Sequence, residues 1–252
     1  MSLLVANDLS VHFGGVKAVQ NVSFAVEAGE VFSIVGPNGA GKTTIFNLLS
    51  RIYDVTTGRI EFDGEDITKV ATHKVAQLGI ARTFQNIELF EQETLLSNLL
   101  IGCHIHKRTN LLGELLFLPS VRAQELAFRQ RVEDVIELLD LQSYRDQTIA
   151  NLPYGVRKMV EIARALCLQP KLLLLDEPSS GLNPEETEDV SFWLEDINQE
   201  LGITVLMVEH DMNLVSQASD RVMALADGQL LAIGTPAEVQ SHPEVLRAYL
   251  GD

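Results

Sequence analysis

The sequence predicts an α/β protein, a mostly parallel sheet flanked by helices with an all-helical block inserted at about residues 90–157. Three observations carry this. First, "VFSIV", "KLLLLD" and "GITVLMV" are continuous apolar runs, as expected of strands covered on both faces. Second, these runs alternate with helical patterns. Third, from Glu93 to Leu141 the apolar spacing is helical, in "ETLLSNLLIG" and "VRAQELAFRQRVEDVIELLDL".

The elements follow in order. "VANDLSVHFGG" and "NVSFAVEAGEVFSIVG" read as short strands broken by Gly and Asn turns. "VFSIV" runs into "GPNGAGKTT" and a helix over 43–50. "TTGRIEFDGEDI" reads as a hairpin-like turn and strand. After the helical block come the strand "KLLLLDEP", a helix from Pro184, the strand "GITVLMVEH", the helix "DMNLVSQAS", the strand "RVMALADG" with its DG turn, and short closing elements.

Composition narrows the function. The 252 residues are 46% hydrophobic, enough for a substantial core. A net charge of −16 lacks the basic excess that neutralises phosphates, so no nucleic-acid partner is expected. The same balance disfavours adsorption to anionic lipid. Cys103 and Cys167 lack metal or redox spacing and read as reduced cytosolic thiols. "MSLLVANDLS" has no basic lead and is not a secretory signal. No 18-residue apolar stretch occurs, so no membrane span is expected.

"GPNGAGKTT", from Gly36 through Pro37, Asn38, Gly39, Ala40, Gly41, Lys42 and Thr43 to Thr44, fits G-x-x-x-x-G-K-[ST] between a strand and a helix. Such a loop curls backbone N–H groups round phosphates at a helix N-terminus. Lys42 is expected to reach the β- and γ-phosphates, and Thr43 to offer its hydroxyl to Mg2+. Asp176 and Glu177, at the end of "LLLLDE", point at the same crevice. Asp176 is the expected Mg2+ holder, through water, and Glu177 is suited to polarise the attacking water. These motifs leave ATPase, GTPase and small-molecule kinase open. A guanine-type NKxD motif is absent from the sequence, which lowers the GTPase reading.

"NLPYGVRKMVEIARAL" (Asn151 to Leu166) reads as an amphipathic helix from Val156 on, punctuated by Pro153 and Gly155. It opens with Arg157 and Lys158, at the end where a helix already carries partial positive charge. Read locally, both long side chains spread into water. The sharper reading is a turn that awaits an anion.

In the order of these motifs the chain resembles the ATP-binding cassette family over nearly all its length. The matching positions are Gln85 in "ARTFQN", at the Q-loop; His210 in "VLMVEHD", at the switch histidine; "SSGLN" (Ser179 to Asn183), at the D-loop; and Phe13 in "VHFGG", at the adenine-stacking aromatic. "NLPYG" falls where the family carries LSGGQ. Only Leu152 and Gly155 match, and Pro153, Tyr154 and Val156 depart, as does Asn183 where Asp is usual.

The resemblance implies a RecA-like core with an antiparallel β subdomain in 1–89 and 158–252, and a helical subdomain with the signature loop in 90–157. It implies ATP held by Phe13, residues 36–44, Gln85 and, across a dimer, Gly155. It implies Mg2+ held by Thr43, Gln85 and Asp176, and hydrolysis by Glu177 with His210. Two cassettes pair head to tail in this family, so Arg157 and Lys158 would face a partner's γ-phosphate.

"LPYG", "EIARAL" and "LLLLDEPSSGLNPEE…VEHDM" are similar to the LivG-type branch, the ATPase subunits of branched-chain (hydrophobic) amino-acid importers. That branch implies a paralogous second ATPase subunit, with a homodimer as the alternative. It also implies two membrane permease subunits, an extracytoplasmic solute-binding protein, and a peripheral place on the cytoplasmic face of the membrane. An importer of urea or short amides and a soluble non-transport ATPase are the alternatives. Two local expectations complete the reading: Leu111 to Leu118 docks on a permease, and His104 and His106 are solvated rather than zinc ligands.

Overall fold

The computed structural model describes residues 1–83, 87–107 and 119–250. The chain divides into two compact units, residues 1–85 with 171–252, and residues 86–170.

The first unit carries two sheets. Strands β1 (Ser2–Phe13), β2 (Val16–Glu27), β4 (Thr57–Phe62) and β5 (Glu65–Asp66) form an antiparallel sheet in the order β2-β1-β4-β5. The sequence reading broke this region into short strands. Asn21, which fits the expected Asn turns, and Asp8 both sit at φ 49 inside continuous twelve-residue strands with irregular register.

The second sheet holds β3 (Val31–Val35), β6 (Ile80–Arg82), β7 (Leu172–Asp176), β8 (Thr204–Val208), β9 (Arg221–Ala226) and β10 (Gln229–Gly234), in the order β10-β9-β3-β8-β7-β6. It is parallel except for β10 on β9. Every residue of β3, β7 and β8 is buried, as their apolar runs require. Ile34, Val208 and Asp176 lie in one row across β3, β8 and β7, so three strands end side by side.

Helix α1 (Lys42–Leu49) follows β3, and α2 (Thr72–Leu78) precedes β6. Helix α2 and the three-residue β6 are too short for sequence periodicity to report. One core lies between the sheets, where Leu4, Leu9 and Phe24 join Phe32, Phe46 and Leu174. On the other face Val35, Val215 and Val222 pack with Val239 and Val245.

The second unit holds α3 (Leu95–Gly102), α4 (Pro119–Leu138) and α5 (Tyr154–Leu166), with α5 packed on α3 and α4. A Cβ on Gly102 would lie 2.4 Å from the Arg164 carbonyl oxygen, so α3 and α5 cross at a glycine. The expected boundary lay at 157/158. The compact unit runs on to Pro170, and α5 within it packs on α3 and α4. Helix α5 also starts two residues early. Pro153, at φ −53, sits just before the helix and accepts the first i→i−4 bond, from Arg157 N–H at 3.0 Å. The first unit ends with α6 (Pro184–Gln199), α7 (Met212–Ala218), α8 (Pro236–Gln240) and α9 (Pro243–Leu250).

Candidate active site

The loop between β3 and α1 is shaped by glycines. Gly41 has φ 99, and a Cβ there would meet the Ala18 carbonyl oxygen of β2 at 2.6 Å. Gly39 has φ 83 and faces open space. Ala40 ties the loop down, donating to Pro37 O at 3.1 Å and accepting from Gly228 N–H at 3.1 Å. Helix α1 has no side-chain cap, so its first N–H groups are left for an anion. Lys42 Nζ folds back over the loop, donating to Gly36 O at 2.6 Å and Pro37 O at 3.0 Å. Burial pushes its ammonium below its usual value, while the charges of Glu177 and Asp176 push it up. Thr43 is exposed on the first turn.

Asp176 ends β7 and is buried. Arg82, from neighbouring β6, donates to its carboxylate at 2.9 Å. The same guanidinium donates to Asn47 Oδ1 at 2.7 Å on α1 and to Ser50 Oγ at 2.8 Å at its C-cap, and lies 5.5 Å from the Phe46 ring centroid. Arg82 therefore ties the carboxylate strand to the helix that carries the phosphate loop. Glu177 follows at φ 51, a left-handed conformation that disfavours a side chain, and its N–H donates to Val208 O at 2.9 Å. Strained backbone of this kind clusters at functional sites.

His210 follows β8 and is 60% exposed. The preceding Glu209 is fully buried, and its carboxylate accepts from Ser179, His210 and Asp211 N–H. Asn183 opens α6 with a reciprocal cap: its Oδ1 accepts from Glu186 N–H at 3.0 Å, and the Glu186 carboxylate accepts from Asn183 N–H at 2.9 Å. Phe13, at the tip of β1, is 46% exposed and meets Tyr53 edge-to-face at 5.1 Å. An aromatic ring open to solvent on one side can take a base by stacking.

Lys42, Thr43, Asp176, Glu177 and His210 thus gather at the ends of β3, β7 and β8. Gln85 and Leu111 to Leu118 lie outside the described residues. Gly155 belongs to the second unit. Arg157 and Lys158 do not both spread into water, the local alternative to a turn that awaits an anion. Lys158 is buried, and Arg157 has a buried Nε without a hydrogen-bond partner among the described residues. His106 is not simply solvated either, since its Nε2 lies 2.8 Å from Leu168 O. No cluster of three or more metal-binding side chains occurs among the described residues. Arg82, Tyr53 and Glu209 were missed by sequence reasoning. Only Glu209 gave a signal, as an acid ending an apolar strand.

Comparison with known proteins places this geometry. A family model described as ABC transporter matches residues 19–180, and one described as branched-chain amino acid ATP-binding cassette transporter matches residues 229–252. The high-affinity branched-chain amino acid transport ATP-binding protein BraF of Pseudomonas aeruginosa is 41% identical over 99% of this chain and 98% of its own. LivG of Escherichia coli K12, which carries the same description, is 39% identical over the same shares. A crystal structure of the ADP conformation of an ATP-binding cassette from an ABC transporter superposes with a TM-score of 0.87, at 32% identity and full coverage of both chains.

Proposed function

This chain belongs to the ATP-binding cassette transporter family, as an ABC-type ATPase, and we propose that it powers uptake of branched-chain or other neutral amino acids. The observation that carries the solute class is the match at 229–252 to the branched-chain model, beside the cassette match at 19–180. Near-complete coverage of BraF and LivG supports it.

In this reading the loop amides and Lys42 hold the β- and γ-phosphates of ATP. Phe13 takes the adenine face, supported at its edge by Tyr53. Glu177 accepts the proton of the attacking water, and His210 orients that water or contacts the γ-phosphate. The Thr43 hydroxyl and Asp176 carboxylate fit Mg2+, a hard cation that takes one or two protein oxygens and completes its shell with phosphates and water. Gln85 is a further oxygen ligand in the same reading. Magnesium so held supplies neutralisation of phosphate charge. Arg82 keeps Asp176 aimed from β6.

Lys42 now donates to Gly36 O and Pro37 O, and ATP would draw its ammonium to the phosphates. The signature turn at 152–156, with Gly155, would cover ATP bound by a second, paralogous cassette. Two permease subunits and an extracytoplasmic binding protein complete the transporter. The chain would sit peripherally on the cytoplasmic membrane face. Among the described residues no helix is long and apolar enough to cross a membrane.

Two measurements test this. In a strain lacking the chain, uptake of radiolabelled leucine should fall and return with the gene. Intact leucine uptake with lost urea uptake would overturn the solute class. Glu177→Gln should bind ATP like the parent and lose about 100-fold or more in turnover. Unchanged turnover would remove Glu177 from its role.

A further inference from the structure

Glu209 is absent from the roles assigned above, yet it is the best-held side chain near the site. It is 0% exposed. Oε1 accepts from Ser179 N–H at 2.8 Å, and Oε2 accepts from His210 N–H at 2.8 Å and Asp211 N–H at 3.2 Å. Its own N–H donates to Ile34 O at 3.2 Å, on the strand that leads into the phosphate loop. His210 Nδ1 lies 3.7 Å from Oε2.

A carboxylate this deep is unfavourable unless its lone pairs are filled, and here backbone donors fill them. An apolar side chain would end β8 with no such requirement. The donors identify what the charge is for. Ser179 lies two residues beyond Glu177, at the start of the stretch to Asn183. His210 is the residue given the attacking water or the γ-phosphate in the proposed function. One carboxylate therefore spans two loops that come from different strands, β7 and β8.

We propose that Glu209 is a positioning residue for hydrolysis: its carboxylate fixes the His210 backbone against the residues that follow Glu177. The two loops then keep one geometry, and a shift of either reaches the other through a single rigid group. The proposal rests on the role given to His210 above.

A glutamine at this position keeps the shape but presents one oxygen and an NH2 to a set of N–H donors. It can satisfy the Ser179 side or the His210 side, not both. The test uses the full chain and reads four quantities: affinity for a fluorescent ATP analogue, kcat, KM for ATP, and thermal midpoint. Glu209→Gln should bind the analogue within about two-fold of the parent and lose about 10- to 100-fold in kcat, the cost of a displacement of about 1 Å at a reacting centre. Combined with His210→Ala, it should slow the reaction no further than His210→Ala alone.

Parental kcat, or losses that multiply in the double variant, would overturn the proposal. So would loss of analogue binding in step with a fallen midpoint, because that pattern belongs to a merely structural residue. If Glu209→Gln does not fold, Glu209→Asp is read by the same criteria. It keeps the charge and shortens the reach. Loss of fold in both variants makes Glu209 a stability residue and refutes the proposal. His210→Ala with normal turnover would sink the His210 assignment, whereas slow His210→Ala beside normal Glu209→Gln sinks this proposal alone.

Discussion

Gly41→Ala isolates what the phosphate loop requires of its backbone, because Gly39→Ala is its internal control. Both glycines have positive φ, 99 and 83, so alanine at either carries a conformational penalty of about 1–2 kcal/mol. They differ in space. A Cβ at Gly39 meets nothing within 4 Å, whereas one at Gly41 lies 2.6 Å from the Ala18 carbonyl oxygen. That oxygen is strand backbone in β2, between the paired Lys17 and Val19, so it cannot swing aside like the end of a long side chain. Forcing atoms into occupied space costs about 1–3 kcal/mol more. The expected losses are about 2–5 kcal/mol for Gly41→Ala against about 1–2 kcal/mol for Gly39→Ala. At about 2–4 °C per kcal/mol for a chain of this size, Gly41→Ala should melt at least about 2 °C below Gly39→Ala. Thermal unfolding by circular dichroism reads this directly. ATP titration of both variants should show the larger loss of affinity at Gly41, since its Cβ pushes on the first turn of α1. Equal midpoints and equal affinities would refute the steric account and leave φ alone as the reason for glycine.

Two further predictions follow from exposed and capping groups. Phe13→Ala should weaken ATP binding by about 1–3 kcal/mol, the value of one aromatic–base stack, while the thermal midpoint barely moves because the ring is half-exposed; nucleotide titration checks it. Asn183→Ala should cost about 0.5–2 kcal/mol in urea unfolding by removing the cap on Glu186 N–H, and Asn183→Asp should restore most of it.

The sequence made the phosphate loop and both carboxylates legible because each rests on a local pattern: a glycine spacing before a helix, and acids ending an apolar run. The burial of β3, β7 and β8 was legible for the same reason. Arg82 was not, because its role depends on β6 lying beside β7, and β6 pairs across 92 positions (Ile80 with Leu172) that no periodicity reports. Glu209 stood in plain view before His210, but a strand-end acid reads as solvated until its donors are known. The burial at the start of α5 was hidden in the same way. Read locally, Arg157 and Lys158 could both reach water, whereas the fold buries Lys158.

The place where the second unit enters the chain has a consequence for how such proteins diversify. Residues 86–170 leave after β6 and return into β7, and these strands are hydrogen-bonded neighbours in parallel register, with Lys171 N–H donating to Gly79 O at 2.8 Å. Neighbouring strands are only about 5 Å apart. The closure of the insert is therefore set by the sheet, and doubling its length would add only about 0.6 kcal/mol of entropy. A segment anchored in this way can be lengthened, reshaped or exchanged as a cartridge while the phosphate loop, Asp176 and Glu177 stay where the strands hold them. Change in the insert and change in the chemistry can then proceed on separate stretches of one gene.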